Sequence, residues 1–240
     1  MDGHADVEDY ERLVADVRGQ RLAGLIFVSQ PGPLAGTPIF EPADLPRVAL
    51  VEEPNVPGVG AVSLDQSSYI AAALEHFRAR KRRRVAILTN GHRSQAWLTE
   101  VTGQIARRGM TTRPAWTLAA DVRFPHWVPN SVAALFSAPS GSCPDALLIG
   151  DDHLVEHATR ALLEMGLVVP REVEVIAHAN FPCRPPAAVP VTWLGYSARK
   201  LLEASCGMID AWRQGRRPEH PVLVPAEFGS EANGPGRASR

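Results

Sequence analysis

The chain has 240 residues, of which 45% are hydrophobic, 21% are charged and 6% are aromatic, and its formal net charge is −1. This length is enough to bury a core and corresponds to one large domain or two small ones. A net charge near zero excludes a general attraction to nucleic acid or anionic membranes, so any DNA contact needs a special element. No apolar stretch is long enough to span a membrane and the acidic N-terminus lacks an apolar signal region, which predicts a cytoplasmic protein with no membrane partner.

Short apolar runs alternate with amphipathic segments along the chain. Buried parallel strands are predicted for the runs that begin at Leu22, Val48, Val85, Asp145 and Val173. Apolar residues at helical spacing predict helices around residues 13–17, 70–77, 98–105 and 154–165, and a further helix over about 197–213. Strands and helices in this alternation are typical of an α/β fold.

Polar and flexible residues mark where several elements begin and end. Asp152 is predicted to cap the helix that follows it, Gly166 to terminate that helix, and Gly215 to terminate the last one. The proline-rich segment 181–190 is predicted to be a loop, and residues 229–240 a disordered tail.

The sequence assigns no chemical role to the cysteines or to the densest run of basic residues. Cys143, Cys183 and Cys206 are odd in number and widely spaced, which indicates inert or buried thiols rather than disulfides or a thiolate metal site. The basic residues of segment 78–84 are predicted to form a solvated helix end rather than a phosphate-binding patch. Neither a complete dinucleotide fingerprint nor a phosphate-binding loop occurs, so no cofactor is predicted.

One short motif has a chemical alternative. His153, Glu156 and His157 satisfy the H-x-x-E-H pattern of inverted zinc peptidases, in which two histidines on one helix face chelate zinc and the glutamate activates water. That chemistry needs a third ligand, for which Glu203 is a nominal candidate. The leading interpretation of the same residues is the solvated start of a helix, with no metal site. A zinc hydrolase is kept as an alternative.

Two longer blocks resemble the LacI/GalR-type transcriptional repressors. Residues 62–88 resemble the family pattern VxxDN…AxxHL…GHRRIAxI, and residues 144–177 resemble the pattern PDAIxxxNDxxAxGxxRALxExGLxVPxDVxVxG. Segment 10–27 is similar to the helix and strand that precede these blocks, and segment 222–228 is similar to the closing LxPxELV. The resemblance therefore covers nearly the whole chain to about residue 228.

The resemblance implies an effector-binding core of periplasmic-binding-protein type I, in which two Rossmann-like α/β subdomains hold a small molecule between them. Residues 1–90 with 190–215 would form the first subdomain, and residues 91–180 with 216–228 the second. Compared with the family pattern, this chain has no counterpart of the helix-turn-helix head, the hinge helix, or the first core strand and helix. The first subdomain is therefore expected to be incomplete, and DNA to be contacted only through a head absent from this chain.

The resemblance also implies where a ligand would bind. Glu52 takes the place of a cleft carboxylate, Leu64 that of an apolar wall residue, and Asp151 that of an asparagine that contacts ligand hydroxyls. Trp97 and Ala179 stand where the family commonly has a clamping arginine and aspartate. The remaining ligand-binding candidates lie at strand ends: Ser29, Gln30, His178 and Asn180.

The leading interpretation is the effector-binding and dimerisation core of a LacI-like regulator, without enzymatic activity. Its partners would be a small, sugar-like effector and a second copy of the chain. Because Trp97 and Ala179 replace charged groups, a ligand with an apolar face and a few donors is favoured over a sugar phosphate. A solute-binding protein for transport and the zinc hydrolase are the alternatives.

Overall fold

A computed structural model of the chain describes residues 3–42, 44–91, 94–137, 142–216 and 221–229. The predicted disordered tail lies outside the described residues from position 230 onward. The chain divides into a smaller unit, Met1–Asp65 with Arg199–Val224, and a larger unit, Gln66–Ala198 with Pro225–Arg240.

Helices and parallel strands alternate in both units, which confirms the predicted α/β class. The helices are α1 Gly3–Arg18, α2 Gln66–Ala79, α3 Gln95–Arg107, α4 Val128–Leu135, α5 Asp152–Glu164 and α6 Ala198–Arg213. The strands are β1 Leu25–Phe27, β2 Arg47–Ala49, β3 Gly60–Asp65, β4 Val85–Asn90, β5 Thr117–Ala120, β6 Ala146–Ile149, β7 Glu174–Phe181, β8 Thr192–Ser197, β9 Val222–Pro225 and β10 Glu227–Phe228.

The smaller unit is built on a four-stranded sheet of order β1-β2-β3-β9. Strands β1, β2 and β3 pair in parallel, and the predicted runs at Leu22 and Val48 correspond to the first two of them. One apolar cluster joins this sheet to α6 and contains Val48, Val62, Met208, Ile209 and Val224. A second cluster, Val17, Leu25 and Ile39, lies beneath α1.

The larger unit is built on a six-stranded sheet of order β10-β8-β7-β6-β4-β5. All neighbouring strands pair in parallel except β10, which runs antiparallel to β8. The central strands β4 and β6 are buried along nearly their whole length. Because both faces of such strands are covered, their sequences are nearly continuous apolar runs. Helices α4 and α5 bury their apolar faces in the same core cluster as these strands.

The boundary between the units differs from the predicted one at 90/91. Helix α2 belongs to the larger unit, where its side chains are bound: Nε of Arg108, the C-cap residue of α3, lies 2.9 Å from Glu75 Oε1. On the same helix, His76 Nε2 lies 3.0 Å from Glu174 Oε1 on β7. Strand β8 also pairs within the larger unit, whereas α6 and most of β9 belong to the smaller one.

The basic run is more than a solvated helix end. Arg82 donates to the main-chain oxygens of Pro170 and Arg171, and Arg84 forms an ion pair with Asp145 at 3.3 Å. Through these contacts the two arginines hold other segments of the larger unit in place, whereas side chains of a solvated helix end would contact mainly water.

Inert or buried thiols are predicted, and two of the three are not buried. All three cysteines are free, but Cys183 and Cys206 are exposed and only Cys143 is half-buried.

Within the residues that the structure covers, no helix has both the length and the apolar character required to cross a membrane.

Candidate functional site

The six-stranded sheet of the larger unit brings polar side chains together at one edge. Since β4, β6 and β7 are parallel, their carboxyl ends meet at the same edge, which is where open α/β sheets bind ligands. Asn90 is the last residue of β4, and Asp151 follows β6 after one glycine. Asn180 is the second-last residue of β7. With Asp152 and His153 these residues form the carboxyl-edge cluster.

Asp151 connects the helix and the sheet within this cluster. One of its carboxylate oxygens accepts a hydrogen bond from the main-chain N–H of His153 at 2.9 Å, so Asp151 is the N-cap of α5. The other accepts a hydrogen bond from the side-chain amide of Asn90. The predicted cap, Asp152, is instead the first helical residue, and the prediction was wrong by one position.

The remaining contacts join Asp152, His153 and Asn180. The Asn180 amide donates to Asp152 Oδ2 at 2.9 Å. His153 Nδ1 lies 3.0 Å from Oδ1 of Asp151 and 3.0 Å from Oδ1 of Asp152. The hydrogen bond to Asp151 is the main reason that the pKa of His153 is raised above its usual value, because both carboxylates favour the charged ring.

His178 lies beside this cluster in a buried aromatic setting. Its ring is 5.5 Å from that of Tyr69 and 5.8 Å from that of Tyr196, measured between centroids. Burial lowers the pKa of His178, and the nearby Asp152 and Asn180 offset this only in part. The neutral form of His178 is therefore favoured, and its buried ring packs beside the cluster. Asn180, on the same strand, is exposed.

Exposed aromatic rings follow β5 at the same edge of the sheet. Phe124 and Trp127 keep 50% and 60% of their surface exposed, and His126 lies between them with ring centroids 6.2 Å and 5.6 Å away. Large apolar rings exposed after the carboxyl end of a strand are suited to stacking on a ligand. Sequence reasoning missed them because β5 is short and only partly buried; the F-P-H-W run was the available signal.

Two positions that the family resemblance singled out carry no charge here. Trp97 is half-exposed in the first turn of α3, where its main-chain N–H donates to the capping Ser94 hydroxyl at 3.1 Å. Ala179 is fully buried, and its main chain lies directly opposite Gly195 of β8. Ala179 therefore offers no polar group to a ligand.

Four predicted residues belong to the smaller unit, at or after the carboxyl ends of β1, β2 and β3. The Gln30 side chain bridges two loops: its amide donates to Glu53 O at 2.9 Å, and its oxygen accepts from Asn55 N at 3.0 Å. The others keep accessible surface, with Ser29 and Glu52 exposed and Leu64 half-buried.

The zinc-peptidase pattern does not assemble as a ligand set. Glu156 is engaged by Arg160 at 2.8 Å. In the described part of the chain, the metal-capable side chains whose ligand atoms all lie within 4.8 Å of one another are Asp151, Asp152 and His153, without Glu156 or His157. Those three residues could approach a cation, but Asn90 and Asn180 already donate to both carboxylates. The nominal third ligand, Glu203, lies on α6 of the smaller unit.

Comparison with known families gives one match that spans most of the chain. The sequence profile of the periplasmic binding protein-like domain matches residues 74–228. Among curated proteins, no sequence matches significantly.

Solved structures similar to this chain include regulators of the LacI family. A regulatory protein from Chloroflexus aggregans has a TM-score of 0.70 at 17% identity, over 95% of this chain and 81% of its own. A regulator from Mycobacterium smegmatis has a TM-score of 0.63 at 19% identity, over 92% and 81% of the two chains. A regulator from Lactobacillus casei with bound glucose has a TM-score of 0.64 at 17% identity, over 96% and 85%. At these identities the similarity establishes the fold.

Proposed function

The chain belongs to the periplasmic binding protein-like domain family, and from this premise we propose that it is the effector-binding core of a LacI-like transcriptional regulator. The observation that carries the proposal is the carboxyl-edge cluster. Its side chains lie at the carboxyl ends of three parallel strands, where α/β sheets bind small molecules. The fold similarity to LacI-family regulators supports a regulatory role over transport or catalysis.

The chemistry of the cluster favours a neutral, polyhydroxylated ligand such as a sugar. Asp151 and Asp152 accept hydrogen bonds, and Asn90 and Asn180 both donate and accept, which matches the alternating donors and acceptors of vicinal hydroxyls. A ligand would exchange its own hydroxyls for the bonds that these side chains now make to one another. The exposed rings of the 124–127 segment supply a stacking face for the apolar side of a sugar ring.

Charge decides against phosphorylated ligands at this cluster. Arg123, the arginine of the aromatic segment, is bound by Asp121 through contacts as short as 2.6 Å. Within the residues that the structure describes, a sugar phosphate would therefore meet the carboxylates of Asp151 and Asp152, with no free guanidinium in the cluster or in the aromatic segment. A cationic amine would be tolerated by the same argument. The glucose bound to the Lactobacillus casei regulator is a ligand of the neutral class.

We propose the exposed residues at the strand ends of the smaller unit as further ligand contacts. Glu52 and Ser29 offer an acceptor and a hydroxyl, and Leu64 an apolar surface. Trp97 is proposed as an aromatic contact on the larger unit. Gln30 is the weakest of these candidates, because both ends of its amide already bridge loops.

The regulatory role follows from linkage. An effector that binds one conformation of the core more tightly than another shifts the population toward it, and a DNA-binding head joined to the core would feel that shift as a change in operator affinity. We propose a homodimer in the cytoplasm as the working form, since a regulator acts where its DNA is and symmetric dimers match paired half-sites. Reaction chemistry has no part in this role.

The test is a ligand titration with variants matched for charge. The purified chain is titrated by calorimetry with D-glucose, D-ribose, glucose 6-phosphate and putrescine. Asp151→Asn removes the charge but retains helix capping, because asparagine caps as well as aspartate. We expect a neutral sugar or the amine to bind, and Asp151→Asn to weaken binding about tenfold or more.

Glu164→Gln is the control, since Glu164 is an exposed carboxylate at the opposite end of α5, outside the cluster. Binding of a neutral sugar that neither variant changes would show that the ligand site lies elsewhere. Failure of every compound to bind would contradict the proposed sensing role. One tightly held zinc per chain, lost on His157→Ala, would instead favour the hydrolase alternative.

A further inference from the structure

A pocket lies in the larger unit and includes no residue of the carboxyl-edge cluster. Its volume is about 540 Å³, within the range that small-molecule sites occupy. One wall is the face of α3 that carries Gln95, Leu98, Thr99 and Thr102, and the other is the segment that enters β5, with Thr112, Arg113, Pro114 and Thr117. We call it the threonine pocket.

The pocket is distinct from the carboxyl-edge cluster in position and in charge. It reaches the first residue of β5, Thr117, and so lies beside the amino end of an edge strand. None of the residues that line it is acidic, and Arg113 is the one charged residue among them. The acidic residue of α3, Glu100, is engaged by Arg107 at 3.3 Å and by Gln104 at 3.1 Å.

Arg113 is held in place without being neutralised. Its guanidinium carbon lies 4.7 Å from the centre of the Trp116 ring, and Trp116 is itself buried. Within the described residues, no carboxylate lies in ion-pair distance of Arg113. A guanidinium stacked on an aromatic face keeps its hydrogen-bond donors free for a planar or tetrahedral anion.

A second, independent feature points to a ligand. The Thr112 hydroxyl oxygen is buried and has no hydrogen-bond partner in the described part of the chain. Native proteins rarely leave a buried hydroxyl unpaired, and such groups occur where a bound molecule satisfies them. Thr112 is one of the residues that line the pocket, so this unpaired hydroxyl belongs to a side chain at the pocket wall.

We propose that the threonine pocket is a second small-molecule site, specific for a hydroxylated organic anion. Arg113 would bind the carboxylate or phosphate, and the threonine hydroxyls with the Gln95 amide would bind the neighbouring hydroxyls. The apolar surfaces of Leu98 and Pro114 would cover the carbon chain. This ligand class is the opposite of the one that the carboxyl-edge cluster favours.

The test uses D-gluconate and glucose 6-phosphate as the anionic probes, with D-glucose as the neutral counterpart of both. Calorimetry is carried out on the full chain and on four variants of exposed or half-buried residues. Arg113→Gln removes the charge, and Thr102→Trp fills the pocket from the exposed face of α3. Arg107→Gln is the matched control, because Arg107 is an exposed arginine on the same helix that does not line the pocket. Asp151→Asn reports on the carboxyl-edge cluster.

We expect at least one anion to bind, with affinity reduced about tenfold or more by Arg113→Gln and abolished by Thr102→Trp. Arg107→Gln and Asp151→Asn should leave that affinity unchanged. Preference for gluconate or for glucose 6-phosphate identifies the anionic group as carboxylate or phosphate. The proposal is overturned if neither anion binds, if both pocket variants bind normally, or if Asp151→Asn removes the binding.

Discussion

The ring of His178 lies 5.5 Å from the ring of Tyr69 in an edge-on arrangement that keeps the imidazole out of water. Burial lowers the pKa of His178, whereas an unfolded histidine titrates near its ordinary value of about 6.5. Between the lowered folded value and the unfolded value, the unfolded chain binds more protons than the folded one. The free energy of unfolding should therefore decrease as the pH falls through this window.

Replacing this histidine tests the pH argument. His178→Gln cannot titrate, so the slope of unfolding free energy against pH should be shallower in the variant below about pH 6.5. Urea unfolding at a series of pH values measures the slope. An unchanged slope would mean that His178 keeps its proton in the folded protein as readily as in the unfolded one.

The contribution of His153 to the free energy of unfolding changes with pH in the opposite direction. The neighbouring carboxylates of Asp151 and Asp152 raise its pKa, so the folded state binds more protons between the ordinary value and the raised one. Its contribution is fully present below about pH 6.5 and is lost as the pH rises through the folded value. The contribution should be small, because 71% of the side chain is exposed and solvent screens the pair.

Titration of His153 by NMR isolates this interaction. Asp151→Ser should lower the pKa of His153 more than Asp152→Asn does, because the hydrogen bond to Asp151 is the largest cause of the shift. Serine retains the helix cap, so the fold is preserved in the comparison. A larger shift for Asp152→Asn would show that the second carboxylate is the principal partner.

Helix capping by Asp151 makes a separate prediction about stability. Asp151→Ala removes the acceptor for the His153 N–H and should lower the free energy of unfolding by about 1 kcal/mol. Asp151→Asn should retain most of that stability. Equal losses in the two variants would assign the effect to the lost charge rather than to the lost cap.

The sequence predicts several residues of this site but not the hydrogen bonds that join them to distant partners. Asp151, His178 and Asn180 are predicted through the family resemblance, which places each of them at or just after the end of a strand. Asn90 and Asp152 were missed as partners, since Asn90 is 61 residues from Asp151, and Asp152 is 28 residues from Asn180. The hydrophobic periodicity of the sequence predicts which helix or strand a residue belongs to. It does not predict which distant strands pair, and that pairing brings these side chains together.

The same distinction separates the predicted strands from the missed ones. Strands β4, β6 and β7 are buried on both faces and therefore appear as apolar runs. Strand β5 is an edge strand with partly exposed residues, and β8 mixes Thr192, Trp193, Gly195 and Ser197, so neither forms such a run. Sequence patterns established the α/β class and the family resemblance, while the position of α2 in the larger unit depends on tertiary contacts.

Asp145 is predicted to be a stability determinant of the larger unit. Its carboxylate accepts hydrogen bonds from the main-chain N–H groups of Arg83 at 2.9 Å and Arg84 at 2.7 Å, and only 13% of the side chain is exposed. Asp145→Ala leaves both donors without this partner and should lower the free energy of unfolding by about 2 kcal/mol. Asp121→Ala, at an exposed aspartate bound to Arg123, should have little effect in the same urea titration.

Two glycines should respond in opposite ways to the same added methyl group. A Cβ on Gly195 would lie 1.8 Å from the main-chain oxygen of Ala179, its partner on β7, and a backbone atom in a paired strand cannot move away without breaking the ladder. A Cβ on Gly207, inside α6, would meet no atom within 4 Å. Gly195→Ala should therefore prevent β7 and β8 from pairing in this register, with a loss of about 3 kcal/mol or more, in line with severe overpacking.

Gly207→Ala should be neutral or stabilise the chain by up to about 1 kcal/mol, because alanine loses less backbone entropy than glycine in a helix interior. Thermal and urea unfolding of the two variants beside the parent chain measure both effects. Hydrogen exchange then locates the damage in Gly195→Ala, which should appear first in the amides of β7 and β8. A Gly195→Ala protein with parental stability and parental protection in those strands would show that β8 does not pair with β7 as described.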